Sequence, residues 1–177
     1  MTLKARGAPP AIVVMGVSGC GKSSVGQALA AMFDADFVEG DALHPPASIA
    51  KMARGEPLDD EDRQPWLQTI CQTISDTRAT GRGVVVSCSA LRRVYRDQLR
   101  MAGPLHILFL NGSRAVLAER MRQRAGHFMP FTLLDSQLAT LEVPTGENDV
   151  VTLDIDRPLV DVIARAGEAI CRVGGPV

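Results

Sequence analysis

The sequence predicts an α/β fold in which a central parallel sheet of about five strands is flanked by helices on both faces. Apolar runs of strand length recur at 11–15, 35–38, 83–87, 105–110 and 150–154, and segments of helical periodicity separate most of them. The first run leads into a glycine-rich loop and then a helix-forming stretch, an order typical of phosphate-binding α/β domains. The chain has 177 residues, 46% of them hydrophobic, which suits one substantial core and is short for a second independent domain. Residues 1–10 read as a flexible N-terminus and 11–177 as a single domain.

The run Ala11-Ile12-Val13-Val14-Met15 is the first strand, and the loop after it is Gly16-Val17-Ser18-Gly19-Cys20-Gly21-Lys22-Ser23. It fills the pattern G-x-x-x-x-G-K-S/T at every fixed position. Glycines let the backbone turn so tightly that successive N–H groups point inward at phosphate oxygens. The helix expected at 22–33 adds the positive end of its dipole, Lys22 supplies a point charge for the β- and γ-phosphates, and the Ser23 hydroxyl suits Mg²⁺. With Ser24 at the helix start, residues 16–24 form the expected nucleotide-contacting stretch. Cys20, near a lysine and a helix N-terminus, is placed to make that grip sensitive to oxidation.

The second strand, 35–38, is weak. It runs into Glu39-Gly40-Asp41-Ala42-Leu43-His44-Pro45-Pro46, which in an open parallel sheet lies at the ligand-binding carboxyl edge. Asp41 reads either as a carboxylate beside the triphosphate or as a turn and cap residue. His44 reads as a loop residue or a ligand contact. A helix is expected at 46–54, with Pro46 at its start. A charged stretch from Lys51 to Leu67 follows and contains the single tryptophan, Trp66. Its run from Asp59 to Asp62 suits a helix start. Arg63 and Trp66 fit either a solvated helix or a pocket for a carboxylate-bearing molecule, since arginine grips carboxylates bidentately.

Helix 65–80 precedes strand 83–87, which ends in Ser87-Cys88-Ser89-Ala90-Leu91-Arg92-Arg93, followed by Tyr95-Arg96. Arg92 and Arg96 are placed to meet a ligand, whereas Arg93 and Arg100 suit the solvated face of helix 91–101. After strand 105–110, helix 113–125 carries Arg120, Arg122 and Arg124 before Gly126 and Pro130 break it. Arg120 and Arg124 share a face. That pair suits a lid over a transferring phosphoryl group, or simply a basic helix end. Helices at 133–141 and 158–173 bracket the last strand. Prolines 46, 65 and 158 are expected at helix starts, where a missing N–H costs nothing.

The net charge is −1 and the pI about 6.3, which gives no field for nucleic acid. Cys20, Cys71, Cys88 and Cys171 lack C-x-x-C spacing, so neither a zinc site nor a disulfide framework is expected and a reducing cytoplasm fits best. The sequence holds no run of 18 apolar residues, so no membrane association is expected.

Taken together, Gly16 to Ser23, Gly40-Asp41-x-x-His44-Pro45, Lys51-Met52-x-x-Gly55-Glu56-Pro57-Leu58, Asp62-Arg63-x-Pro65-Trp66-Leu67, Cys88-Ser89-Ala90-Leu91-Arg92, Tyr95-Arg96-Asp97 and Gly126-His127-Phe128 resemble the small P-loop gluconokinases. The likeness runs from about 11 to 172 and includes Thr140-Leu141-Glu142-x-Pro144 and Asp154-Ile155-Asp156-x-Pro158-Leu159. It implies a three-layer kinase fold like those of shikimate and nucleoside monophosphate kinases, with a substrate segment at 40–67, a mobile lid at 120–138 and a homodimer. The implied reaction is Mg²⁺-dependent phosphoryl transfer from ATP to the 6-hydroxyl of D-gluconate. On that resemblance Lys22, Asp41, Arg124 and Arg120 are catalytic. Asp41, His44, Arg63, Trp66, Arg92, Arg96 and His127 meet gluconate. Two other readings are a related kinase acting on shikimate, a nucleotide or another sugar acid, and a nucleotide-dependent switch. The chain lacks the N-K-x-D guanine-reading motif, which counts against the switch.

Overall fold

The computed structural model describes residues 10–123 and 131–173. Five parallel strands, β1 (Ala11–Met15), β2 (Ala35–Glu39), β3 (Gly83–Ser87), β4 (His106–Asn111) and β5 (Val150–Asp154), form one sheet in the order β2-β3-β1-β4-β5. The described helices are α1 (Lys22–Phe33), α2 (Pro46–Ala53), α3 (Asp60–Ala79), α4 (Arg93–Arg100), α5 (Arg114–Gln123), α6 (Phe131–Thr140) and α7 (Leu159–Val173), and a 3₁₀ turn spans Gly40–Leu43. None of them is long and apolar enough to cross a membrane.

The alternation of β1 explains the three layers. Ile12 and Val14 point to one face, where Val25 and Leu29 of α1 and Val162, Ala166 and Ile170 of α7 close a core. Ala11, Val13 and Met15 point to the other, against Trp66, Leu67, Ile70 and Ile74 of α3 and Tyr95 and Leu99 of α4. Every residue of β1 and β3 is buried, which is why these strands read as unbroken apolar runs. β1 has β3 on one side and β4 on the other, each by a parallel register. Chain order therefore reverses beside β1, and the crevice at its carboxyl end is the topological position for a ligand.

The expected elements are all present, but five helices begin elsewhere than expected: α5 at 114 rather than 113, α6 at 131 rather than 133, and α3, α4 and α7 for the reasons that follow. α3 starts five residues before the expected 65 because Asp59 and Asp62 form a capping box: the Asp62 N–H donates to Asp59 Oδ1 at 2.9 Å, and the Asp59 N–H to Asp62 Oδ2 at 3.0 Å. Pro65 consequently lies inside the helix rather than at its start. Pro158 stands one residue ahead of α7, where its carbonyl accepts the Asp161 and Val162 N–H groups at 3.0 and 3.2 Å. α4 begins at Arg93, not at 91, because Ala90 takes a left-handed φ of 45° and turns the chain first. The expected flexible N-terminus, apart from Pro10, lies outside the described residues.

Candidate active site

The loop after β1 has the geometry its glycines predict. Gly16, Gly19 and Gly21 have φ of 146°, 84° and 96°, and a Cβ would stand 2.9 Å from the Leu110 carbonyl oxygen at Gly16 and 2.9 Å from that of Leu117 at Gly19. Only glycine lets the loop lie so close to β4 and α5. Gly21 caps α1 without any side-chain hydrogen bond, so the helix N-terminus keeps backbone donors available for an anion. The Lys22 ammonium folds back onto the loop, donating to the Val17 carbonyl at 3.1 Å. Ser23 and Ser24 are half-buried in the first turn. Cys20 is packed into the core at 1% exposure, and this burial removes the solvent access on which the expected oxidation sensitivity depends.

Asp41 is held in place from beneath. The Gly40 N–H donates to Ser87 Oγ at 3.1 Å, the Ser87 hydroxyl donates to Glu39, and the Trp66 indole N–H donates to the Gly40 carbonyl at 2.7 Å. A Cβ on Gly40 would stand 2.0 Å from the Ser87 carbonyl oxygen, so the end of β2 can press against β3 only with glycine there. Asp41 follows, exposed. His44 stacks on Trp66 with centroids 4.1 Å apart and an interplanar angle of 14°. It is buried, and its Nδ1 has no hydrogen-bond partner. Burial lowers its pKa below the ordinary value; the nearby Asp41 charge works against that and Arg63 adds to it.

These groups meet in one cavity of about 520 Å³, lined on the loop side by Ser18 and Lys22, on the β2 and α3 side by Asp41, His44, Arg63 and Trp66, and closed by Ser89, Leu91, Leu133, Ser136 and Gln137. The size is that of a small-molecule site, and the polar groups supply both signs of charge. Arg63 donates to the Tyr95 hydroxyl at 3.1 Å and lies 5.5 Å from the Tyr95 ring centroid.

Other expected site residues are placed elsewhere. Arg92 opens onto an adjoining groove of about 780 Å³, where it is paired with Asp60 and with Glu142 at 3.2 Å. Arg96 is wholly buried: it pairs with Glu147 at 2.6 Å and donates to the carbonyls of Ala90 and Leu91 at 3.0 and 3.2 Å. It supports the turn that carries Ser89 and Leu91 into the cavity and does not line it. Arg100, expected on a solvated face, joins the same network through Glu147 at 2.6 Å and Asp149 at 2.7 Å. Arg120 donates to the carbonyls of Ile155 and Arg157 at 2.6 and 3.1 Å and to that of Cys20 at 3.4 Å, bracing the turn before α7 against the phosphate loop. Arg124 and His127 lie outside the described residues. The carboxylates of Asp59 and Asp62 are taken up by Lys51 at 3.4 and 2.6 Å, joining α2 to α3. Gln137 also lines the cavity, and no motif or spacing in the sequence marks it.

A family model described as an AAA domain matches residues 12–144. A gluconokinase of Gluconobacter oxydans is 49% identical over 81% of this chain and 81% of its own length. The thermoresistant gluconokinase of Escherichia coli is 44% identical over 89% of this chain and 91% of its own. A crystal structure of a gluconokinase from Sinorhizobium meliloti superposes with a TM-score of 0.87 at 51% identity, covering 96% of this chain and 95% of that one. Likeness at this level over nearly the whole chain makes it a member of the gluconokinase family of P-loop kinases.

Proposed function

We propose that this protein transfers the γ-phosphoryl group of ATP to the 6-hydroxyl of D-gluconate, giving ADP and 6-phospho-D-gluconate. One observation carries the reading: Lys22 of the phosphate loop and the exposed carboxylate of Asp41 line the same cavity, so donor and acceptor can be held within one enclosure. The loop fits a triphosphate, because its glycines expose the backbone and α1 begins without a side-chain cap. Among the described residues no group of three or more His, Cys, Asp or Glu side chains is arranged to hold a metal ion. The Ser23 hydroxyl, in the first turn of α1 beside the phosphate loop, is the protein ligand that would hold a Mg²⁺ arriving with the phosphates. When bound, the ion neutralises charge on the phosphate oxygens.

Phosphoryl transfer passes through a loose transition state, so the work of the protein is alignment and charge stabilisation. Asp41 accepts the hydrogen bond of the 6-hydroxyl and orients its oxygen toward the γ-phosphorus. As the new P–O bond forms and the bond to ADP breaks, the hydroxyl proton passes toward the Asp41 carboxylate. Lys22 moves from the Val17 carbonyl to the phosphates. Arg63 takes the gluconate carboxylate, its guanidinium steadied by Tyr95, and His44 on Trp66 forms the wall behind the polyol chain. Arg124 acts on the transferring group, His127 meets the acceptor, and the working form is a homodimer in the cytoplasm. Asp41→Asn tests the centre of this mechanism. kcat is expected to fall by about 10²-fold or more with ATP affinity retained; turnover near that of the parent contradicts Asp41 as the group that handles the hydroxyl.

A further inference from the structure

Gln137 lies on α6 and lines the same cavity as Asp41 and His44. Its side-chain Oε1 accepts the Ser18 backbone N–H at 2.7 Å, a bond that spans 119 residues of sequence. Since only the oxygen of an amide can accept that proton, the orientation of the group is fixed: Oε1 faces the phosphate loop and Nε2 keeps two N–H donors. Among the described residues no acceptor takes those donors. The helix itself is anchored independently of this bond, by Leu134 in the core and by Arg114, whose Nε donates to Asp135 at 2.7 Å. Gln137 is thus not the sole anchor of α6, and its amide stands half-buried with unspent donors in the wall of a polar cavity.

A polyol makes a particular demand on such a site. Each hydroxyl is both donor and acceptor, and Asp41 supplies only acceptance. We propose that Gln137 is a specificity-determining residue of the acceptor site, whose amide, oriented by the Ser18 N–H, donates to hydroxyl oxygens of the acceptor chain. This rests on the reading of the acceptor as a polyol acid. A site built to hydrogen-bond a hydroxyl disfavours an analogue that lacks it, because the donor in the cavity wall is then left unpaired.

Steady-state kinetics of the full-length protein with Gln137→Met and Gln137→Glu test this. Methionine keeps the length of the side chain without its hydrogen bonds. Glutamate keeps an acceptor for Ser18 and loses the N–H donors. Both variants are expected to raise KM for gluconate about tenfold or more with KM for ATP within twofold of the parent. Titration followed by the fluorescence of Trp66, the only tryptophan, is expected to show the same loss in gluconate binding without ATP. Among monodeoxy-gluconates, at least one is expected to cost the parent about tenfold and Gln137→Met almost nothing. An unchanged KM for gluconate overturns the assignment. So does a parallel rise in both KM values with a lowered melting temperature, which marks a structural brace. Gluconate turnover by the parent reads the proposed reaction alone. An inactive parent overturns both readings, whereas an active parent with unaltered variants overturns only this one.

Discussion

Lys22 donates to the Val17 carbonyl, which satisfies its ammonium locally until an anion competes for it. Exchanging one carbonyl for several phosphate oxygens costs little and places a full charge where negative charge accumulates. Lys22→Ala is therefore expected to lower kcat by about 10²-fold or more while the fold, measured by thermal melting, is kept. His44 shows the opposite behaviour, a group kept neutral. Its burial lowers its pKa below the ordinary 6.5 despite Asp41, so between those two values the unfolded chain binds the proton that the folded chain refuses. Stability contributed by the neutral ring is complete above about 6.5 and is lost as pH falls below it. His44→Phe keeps a ring against Trp66 and cannot titrate. Denaturant melts between pH 7 and 5 are expected to show a shallower loss of stability in this variant than in the parent.

At the scale of elements, the cavity depends on segments that never touch it. The turn from Ser89 to Leu91 passes through Ala90 at a φ of 45°, a conformation that costs a side-chain-bearing residue of order 1 kcal/mol. Arg96 of α4 holds it through two carbonyls, and Glu147, ahead of β5, neutralises Arg96. The Glu147 side chain is 4% exposed, and the Arg96 hydrogen bonds, helped by Arg100, hold its carboxyl down at about 2. Glu147→Gln leaves a buried guanidinium without its charge partner, and a loss of about 3–5 kcal/mol in unfolding free energy is expected near pH 7. The depressed carboxyl contributes fully above its ordinary 4.5 and progressively less as pH falls toward 2. The gap between parent and variant should therefore close over that window in denaturant titrations. Arg96 also shows why sequence position misled. A basic residue just beyond the carboxyl end of a strand reads as a ligand contact, and nothing local reveals a carboxylate 51 residues away that claims it.

Across the whole molecule, the alternation of strands and helices was legible because buried strands such as β1 and β3 stand out as unbroken apolar runs, and the phosphate loop because its glycines and lysine are fixed by backbone geometry; the order of the strands in the sheet was not. Asp41 was legible only as one of two readings: its neighbours Gly40, Ser87 and Trp66, which set its position, come together from three elements. Gln137 was not legible, since a glutamine in a helical stretch signals nothing until the helix is folded against the loop. The same assembly brings Lys22, Asp41, His44 and Arg63 into one cavity, and the central claim is that this cavity joins ATP to a sugar acid. The direct measurement is ADP release coupled to product identification, with ATP, Mg²⁺ and D-gluconate beside shikimate, nucleoside monophosphates and other sugar acids. The account predicts gluconate-dependent ADP release with one 6-phosphogluconate formed per ADP. No turnover of gluconate, with efficient turnover of another acceptor, would contradict it.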